Sequence, residues 1–146
     1  MKVLVQRVHR AKVTVDGEIT GSVNGGLLLL IGIAEGDSEK DLDYMAEKCV
    51  NLRIFNDDAG KMNLSLLDIK GEILAVSQFT LMADTRKGRR PSFVHAADPE
   101  KGKLFYEKFV EKLKSYDLKV ACGIFGAMMD VELVNNGPVT IMVESK

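Results

Sequence analysis

Five consecutive apolar residues at positions 27–31, which follow Gly25-Gly26, constrain the fold more than any other part of the chain. Successive side chains of a β-strand point to opposite faces of a sheet, so a strand that is apolar throughout must be buried on both faces. We therefore predict a central buried strand here. Residues 2–8 and 12–15 alternate between apolar and polar side chains, and Asp16-Gly17 predicts a hairpin into residues 18–23.

Two helices are predicted from the residues that begin them. Ser38 starts the first, with Asp41 three residues later and apolar residues at helical spacing as far as Val50. Asp98-Pro99 starts the second, whose inner face holds apolar residues at 105, 106, 109, 110 and 113. Further strands are predicted at 52–55, 72–79, 119–122, 129–134 and 139–144, with a turn at 56–60 and a polar loop at 81–91. The predicted fold is one α/β domain over residues 1–146, with a strand-rich, β-barrel-like core and about two main helices.

Charge and composition narrow the function classes. The net charge of −1 gives no general attraction to nucleic acid, so any RNA or DNA contact must come from a local basic patch. Cys49 and Cys122 fall at apolar positions, and no disulfide, metal-ligand or cofactor spacing is found, so we expect neither metal nor cofactor.

The N-terminal residues do not resemble a signal peptide, and the longest apolar run is far shorter than the roughly 20 residues of a membrane span. We expect a cytoplasmic protein without membrane association.

Gly137-Pro138 lies between the last two predicted strands, where proline cannot donate to a sheet ladder. One interpretation is a hairpin turn, since glycine and proline are common turn residues. The alternative is a rigid recognition element that presents backbone carbonyls in a fixed direction. The sequence leaves the cis or trans state of the bond open.

Polar residues Ser77, Gln78 and Thr80 end an otherwise apolar strand, with Phe79 between them. In α/β folds, ligands bind outside the carboxyl ends of strands, so these residues are either a binding site or an ordinary turn. Thr80 is a candidate nucleophile, but it would need an adjacent base. The only histidines, His9 and His95, are distant in sequence.

Two further clusters are candidates for substrate contacts. Four cations lie in the loop after this strand and are followed by Phe93, an arrangement suited to phosphates beside a base or sugar: Arg86, Lys87, Arg89 and Arg90. The alternative is a solvated loop neutralised by Asp84. Glycines flank Phe125 in residues 123–129, which predicts either close backbone approach to a ligand or a β-bulge with Phe125 in the core.

Together these clusters resemble the D-aminoacyl-tRNA deacylase family over essentially the whole chain. The resemblance rests on the following segments: Gln6-Arg7-Val8, Leu52-Arg53-Ile54-Phe55, Ser77-Gln78-Phe79-Thr80-Leu81, Lys87-Gly88-Arg89-Arg90-Pro91-Ser92-Phe93, residues 123–129 and Asn135-Asn136-Gly137-Pro138-Val139-Thr140. One departure is Asn136, where the family often has Asp.

The resemblance implies hydrolysis of the ester between a D-amino acid and the 3′ end of tRNA by a homodimer, with the L ester spared and glycyl-tRNA as a second substrate. It implies that Gly137-Pro138, in cis, enters the partner's active site, where Arg7 helps to hold it. The implied pocket is lined by Ser77, Gln78, Phe79, Phe125 and Met129, and the implied tRNA contacts are Arg86, Lys87, Arg89 and Arg90.

Two mechanisms fit this resemblance. In one, Thr80 attacks the ester; in the other, the 2′-OH of the terminal ribose assists the attack while backbone N–H groups around Phe79 and Thr80 stabilise the oxyanion. Two other functions remain open. One is a non-catalytic nucleic-acid-binding module that uses the basic loop at 86–90, and the other is a hydrolase of a different aminoacyl ester.

Overall fold

The first strand organises the sheet in the computed structural model, which describes residues 1–145. In chain order the elements are β1 (Lys2–Val15), β2 (Glu18–Val23), β3 (Gly26–Gly32), α1 (Glu39–Asn51), β4 (Phe55–Asn56), β5 (Met62–Leu64), α2 (Leu66–Ile69), β6 (Glu72–Ser77), α3 (Pro99–Lys114), β7 (Val120–Cys122) and β8 (Asp130–Glu144). One edge of β1 pairs with β3 and then with β2, and its other edge pairs with β8. Long β1 is therefore shared by three antiparallel partners.

The main sheet has the order β2-β1-β3-β6-β7, with β3, β6 and β7 parallel to one another. Its two end strands, β2 and β7, lie close together. The contact between them includes a hydrogen bond from the Thr20 hydroxyl to the carbonyl oxygen of Cys122 at 3.5 Å. A Cβ at Gly21 would lie 2.5 Å from that same oxygen, so only glycine permits this approach. The sheet is thus a nearly closed barrel, and the predicted α/β fold with a barrel-like core is confirmed.

Both faces of β3 are buried, as the apolar run predicts. Leu27 and Leu29 face a core that also contains α1 and α3, whereas Leu28 faces a second core on the opposite side of the sheet. The stripe predicted for α1 is buried, and Ser38 is its N-cap. In α3, Asp98 caps the helix as predicted; Gly102 is buried on the inner face, and Phe105 is half-buried against the core.

Three predicted elements are wrong in extent. The strand at 52–55 is reduced to Phe55–Asn56, because the Leu52 amide still donates to the Lys48 carbonyl at the end of α1. Strand β6 ends at Ser77, and Phe79–Met82 form a 3-10 turn. Residues 2–8 and 12–15 belong to one continuous strand, and the short helix α2 was not predicted.

The hairpin predicted at Gly137-Pro138 is also wrong. Strand β8 runs on through this segment, and its two halves both pair with β1: Asn135 is opposite Val8, and Thr140 is opposite Gln6. Residues 136–139 therefore bulge out opposite Arg7. The bulge arises because β1 is long enough to bind both halves of β8, which turn propensity alone does not reveal. Within residues 1–145, no helix is long and apolar enough to cross a membrane.

Candidate active site

A cavity of about 850 Å³ opens at the carboxyl end of β6, where the sequence placed a candidate site. Six residues predicted for the site line it together: Ser77, Gln78, Phe79, Thr80, Phe125 and Met129. The remaining lining comes mainly from residues 93–99, the start of α3 and residues 126–131. Most of the lining is apolar, and this volume is in the ordinary range for small-molecule sites.

The 3-10 turn after β6 orients the polar groups at the mouth of this cavity. The Gln78 amide nitrogen donates to the Ile31 carbonyl at 2.7 Å, which anchors the turn to β3. The first hydrogen bond inside the turn runs from the Leu81 amide to the Gln78 carbonyl, at 3.1 Å. The amides of Phe79 and Thr80 precede that bond, as the first N–H groups of a helical turn do.

The Thr80 hydroxyl has an amide as its neighbour. The Gln78 side chain donates to it, and within residues 1–145 no histidine or carboxylate is hydrogen-bonded to it. A hydroxyl needs an adjacent base to act as a nucleophile. The local geometry therefore supplies Thr80 with a hydrogen-bond donor but not with a base.

Aromatic side chains form two sides of the cavity. Phe79 and Phe93 meet edge to face, with their ring centroids 5.1 Å apart, and Phe79 is 54% exposed. On the other side, Phe125 packs against Tyr106 at 6.0 Å and over Gly102, where an added Cβ would lie 3.5 Å from the Phe125 ring. Phe125 is half-buried in an irregular loop, so the predicted β-bulge is wrong: one side of the ring meets the core and the other lines the cavity.

The Gly137-Pro138 segment lies outside the cavity of its own chain. Its peptide bond is cis, both residues are exposed, and neither is among the residues that line the cavity. Gly137 has φ +126°, a conformation that side chains of L-residues rarely adopt. An added Cβ there would also lie 2.9 Å from the Cγ2 atom of Val139.

Buried Arg7 anchors this segment from within the same chain. Its guanidinium donates to the carbonyl oxygens of Asn136 (3.0 Å) and Ile54 (2.7 Å), and it is 7% exposed. On the other side of the bulge, the Val139 amide donates to the Asn135 side-chain oxygen at 3.1 Å. The bulge is therefore fixed at both ends by side chains.

The basic loop contains one paired cation and three free ones. Arg86 donates two hydrogen bonds to the Asp84 carboxylate, at 2.9 and 2.6 Å, and these bonds hold the pKa of Asp84 well below its usual range. Lys87, Arg89 and Arg90 are exposed and make no ion pair or hydrogen bond through their side chains within residues 1–145. Neutralisation by Asp84 thus applies to Arg86 alone.

The Cys49 thiol and the Tyr106 hydroxyl are buried, and the side chains that could bind a metal are dispersed in the described part of the chain. Burial raises the pKa of the Cys49 thiol to about 12, and burial followed by the nearby Cys122 raises the pKa of Tyr106, whose hydroxyl donates to the Ala75 carbonyl. Across residues 1–145, no three His, Cys, Asp or Glu side chains are grouped closely enough to hold a metal ion.

The amino-acid sequence matches a known protein family. The family model described as D-Tyr-tRNA(Tyr) deacylase matches residues 4–144. The chain belongs to this family. A deacylase of this kind is a hydrolase that acts on an ester bond, so the prediction of such an enzyme is confirmed.

Relatives and solved structures agree with the family assignment. The chain is 56% identical to the D-aminoacyl-tRNA deacylase of Bacillus velezensis, over all of this chain and 99% of the relative. It is 57% identical to that of Caldicellulosiruptor saccharolyticus, over all of this chain and 98% of the relative. A solved structure named c-Myc DNA unwinding element binding protein has a TM-score of 0.95 at 44% identity, covering 100% and 99% of the two chains. A probable eukaryotic D-amino acid tRNA deacylase, 17% identical over 97% of each chain, shares the fold with a TM-score of 0.84.

Sequence reasoning missed part of the cavity wall. Ala96, Ala97 and Gly102 line the cavity, but none belongs to a motif that signals chemistry. A glycine inside an otherwise regular helix was the one available sign, since glycine weakens helices and is retained there for close packing.

Proposed function

We propose that this protein hydrolyses the ester bond between a D-amino acid and the 3′ end of tRNA, releases both products, and spares L-aminoacyl-tRNA. The observation that carries the proposal is the single cavity that Ser77, Gln78, Phe79 and Thr80 share with Phe125, in a chain of this family. Its apolar wall fits a terminal nucleoside with an attached amino acid. The wall has few polar groups that could distinguish one side chain of the substrate amino acid from another. We therefore expect recognition to be broad in side chain and strict in chirality.

The chemistry proposed is attack on the ester carbonyl assisted by the 2′-OH of the terminal ribose. Water adds to the carbonyl carbon, the bond to the 3′ oxygen breaks, and that oxygen takes up a proton. The amides of Phe79 and Thr80, which precede the first hydrogen bond of the 3-10 turn, are suited to stabilise the oxyanion. Thr80 is not the nucleophile in this proposal, because its hydroxyl bonds to the Gln78 side chain and to no base within residues 1–145.

Chiral selection is assigned to the Gly137-Pro138 segment of the partner subunit in a homodimer. The segment is exposed and lies outside its own cavity, so a second chain is needed to bring it to the ester. Its carbonyls would bind the substrate α-amino group, and its bulk would exclude an L side chain, which works best when the excluding wall is rigid. Glycine has no side chain to exclude, so glycyl-tRNA, including glycine mischarged on tRNA-Ala, is a second substrate of the proposal.

Arg7 has a modified role in this proposal. The resemblance implied that it holds the incoming partner segment, whereas its observed bond to the Asn136 carbonyl supports anchoring of the segment on its own chain. The free cations Lys87, Arg89 and Arg90 would contact tRNA phosphates. A cytoplasmic location, where aminoacyl-tRNA is used, stays a prediction.

Non-catalytic binding of nucleic acid is the second candidate function. It is favoured by the three free cations and by the name of the solved relative that shares 44% identity. It gives no role to the cavity or to the exposed Gly137-Pro138 segment.

The deciding experiment is deacylation of matched D-tyrosyl-tRNA and L-tyrosyl-tRNA by the wild type and by Gly137→Ala/Pro138→Ala. We expect rapid loss of the D ester, survival of the L ester, and a strong defect in the double variant. Gly17→Ala is the control, because Gly17 also has positive φ (+80°) but faces open space in a distant turn. If neither ester is cleaved faster than in buffer while tRNA is bound in a salt-dependent way, the second candidate replaces the first.

Mixing two impaired variants tests action across subunits. Ala127→Trp would fill the cavity, to whose lining Ala127 belongs. In a mixed dimer, the chain with the blocked cavity would lend its intact segment to the cavity of Gly137→Ala/Pro138→Ala, so D-ester cleavage would return. No return of activity in dimers shown to be mixed would exclude action across subunits.

A further inference from the structure

The side chain of Asn136, at the start of the Gly137-Pro138 bulge, bonds to an exposed residue of β1. Its amide nitrogen donates to the Nε2 atom of His9 at 2.8 Å. An amide nitrogen donates and does not accept, so Nε2 is the unprotonated ring nitrogen in this arrangement. Within residues 1–145, the His9 ring makes no other hydrogen bond and no ion pair. Its polar contact is therefore with the bulge alone.

His9 lies at an irregular point of β1. Val8 and Arg10 each have a partner in β8, but the register shifts between them, and His9 has none. On the other edge of β1, pairing with β3 ends at Val8 and pairing with β2 begins at Ala11. No residue of a neighbouring strand is thus paired with His9, and its exposed ring is available to the bulge.

Asn136 is held from two sides. From the buried side, the Nε atom of Arg7 donates to the Asn136 carbonyl at 3.0 Å, whereas His9 binds the side-chain amide on the exposed side. That carbonyl belongs to the peptide unit that leads into Gly137, and the side chain starts from the Cα before it. Two bonds on either side of this Cα restrict how the residue can turn. Gly137 itself restricts the backbone least, so the direction of the bulge depends on Asn136.

We propose that His9 is a positioning residue for the Gly137-Pro138 segment, and that together with Arg7 it clamps Asn136 and sets the direction in which the segment projects. The consequence for chirality rests on the proposed function, in which a rigid segment excludes an L side chain. Without the clamp, the segment would move, cleavage of the D ester would fall and cleavage of the L ester would rise. Because water competes for an exposed hydrogen bond, the effect should be found in selectivity and local order rather than in Tm.

The first arm of the test compares His9→Phe with His9→Gln. Phenylalanine keeps an aromatic ring and removes both ring nitrogens, whereas glutamine removes the ring and keeps a group that can donate or accept near the position of Nε2. The readout is the ratio of kcat/KM for D-tyrosyl-tRNA to kcat/KM for L-tyrosyl-tRNA. We expect this ratio to fall about three- to tenfold in His9→Phe and to stay within about twofold of the wild type in His9→Gln.

Arg10→Ala is the control for this arm, because Arg10 is the next residue of the strand and is also exposed. Its ratio should equal that of the wild type. A role in packing alone would give the reverse ranking, with His9→Phe better than His9→Gln. Any result in which His9→Gln is not the better of the two would overturn the proposal.

The second arm does not depend on catalysis. In ¹⁵N relaxation measurements, fast backbone motion at Gly137 should increase in His9→Phe and in Asn136→Ala but not in His9→Gln, while the Thr80 amide in the turn after β6 stays unchanged. If the two side chains act as a pair, the combined variant His9→Phe/Asn136→Ala should show no further increase. Additive effects, or unchanged motion at Gly137 in His9→Phe, would contradict the clamp. If the wild type cleaves neither ester, the proposed function fails, and relaxation at Gly137 still decides whether His9 holds the segment.

Discussion

The cavity and the Gly137-Pro138 segment are built in opposite ways. The cavity is concave, mostly apolar and assembled from segments that are distant in sequence, whereas the segment is convex, exposed and contiguous. The polar side chains in the cavity lining belong to Ser77, Gln78 and Thr80 at the end of β6 and to Asp98 at the start of α3. The segment presents main chain, and Arg7 and Asn135 fix it. The difference shows that the two regions share no lining residue, so each can be altered separately to test the role proposed for it.

Arg7→Ala should have the largest effect, because it would release the segment while leaving the cavity lining unchanged. Two carbonyl acceptors in a buried site, on Asn136 and Ile54, would lose their donor. We expect a loss of about 2–4 kcal/mol in the free energy of unfolding, measured by urea denaturation. D-ester cleavage should also fall at a temperature at which the variant is fully folded, so that lost stability does not account for the lost activity. Exposed Arg10, replaced by Ala, is the control, and equal activity of the two variants would contradict anchoring by Arg7.

Gly137→Ala should impair cleavage of the D ester with a smaller effect on stability. Positive φ costs about 1–2 kcal/mol for alanine, and the new methyl group would also meet Val139. We expect kcat/KM for D-tyrosyl-tRNA to fall about 10- to 100-fold. The Tm of Gly137→Ala should lie within a few degrees of the Tm of Gly17→Ala. Unchanged steady-state kinetics would mean that the segment does not reach the substrate.

Lys87→Ala/Arg89→Ala should weaken tRNA binding several-fold without changing either region. Each lost phosphate contact reduces the slope of log affinity against log salt by about 0.7–0.9. Arg86→Ala is the matched control, and its slope should change less because Arg86 is bound to Asp84. The low pKa of Asp84 keeps this pair formed at neutral pH, and protonation breaks it only in strong acid. Equal slopes for the wild type and the double variant, from filter binding, would exclude phosphate contact by this loop.

Thr80→Ala should have the smallest effect. If the ribose 2′-OH assists the attack, removing the Thr80 hydroxyl should lower kcat less than about tenfold, since the backbone amide at this position remains. Single-turnover deacylation measures this directly. A drop of several orders of magnitude in turnover with unchanged substrate binding would instead assign the nucleophile to Thr80.

Local signals in the sequence predicted the two long helices, α1 and α3, and part of the cavity. Ser38 and Asp98 cap α1 and α3 as expected, because capping depends on residues within one turn. The polar end of β6 was identified because polar residues interrupt an apolar strand.

What could not be predicted depends on pairing between distant segments. Gly137-Pro138 has the composition of a hairpin turn, and only the length of β1 makes β8 continue past it. Ala96 and Ala97 reach the cavity through bonds to the loop after β3. The family resemblance singled out Arg7, but local sequence does not show that its guanidinium joins β1, the residues after α1 and the bulge of its own chain.

The pairing of β1 with β8 has a consequence for biosynthesis. β1 pairs along one edge with β8, which follows it by more than 100 residues, so that edge has no partner within this chain until residues 130–144 have been synthesised. β2 and β3 can pair with β1 early, but the β1–β8 ladder requires contacts between the two ends of the chain, which form slowly. Until β8 is available, the valine-rich β1 therefore presents an unpaired strand edge, the kind of edge on which strands of other chains can pair.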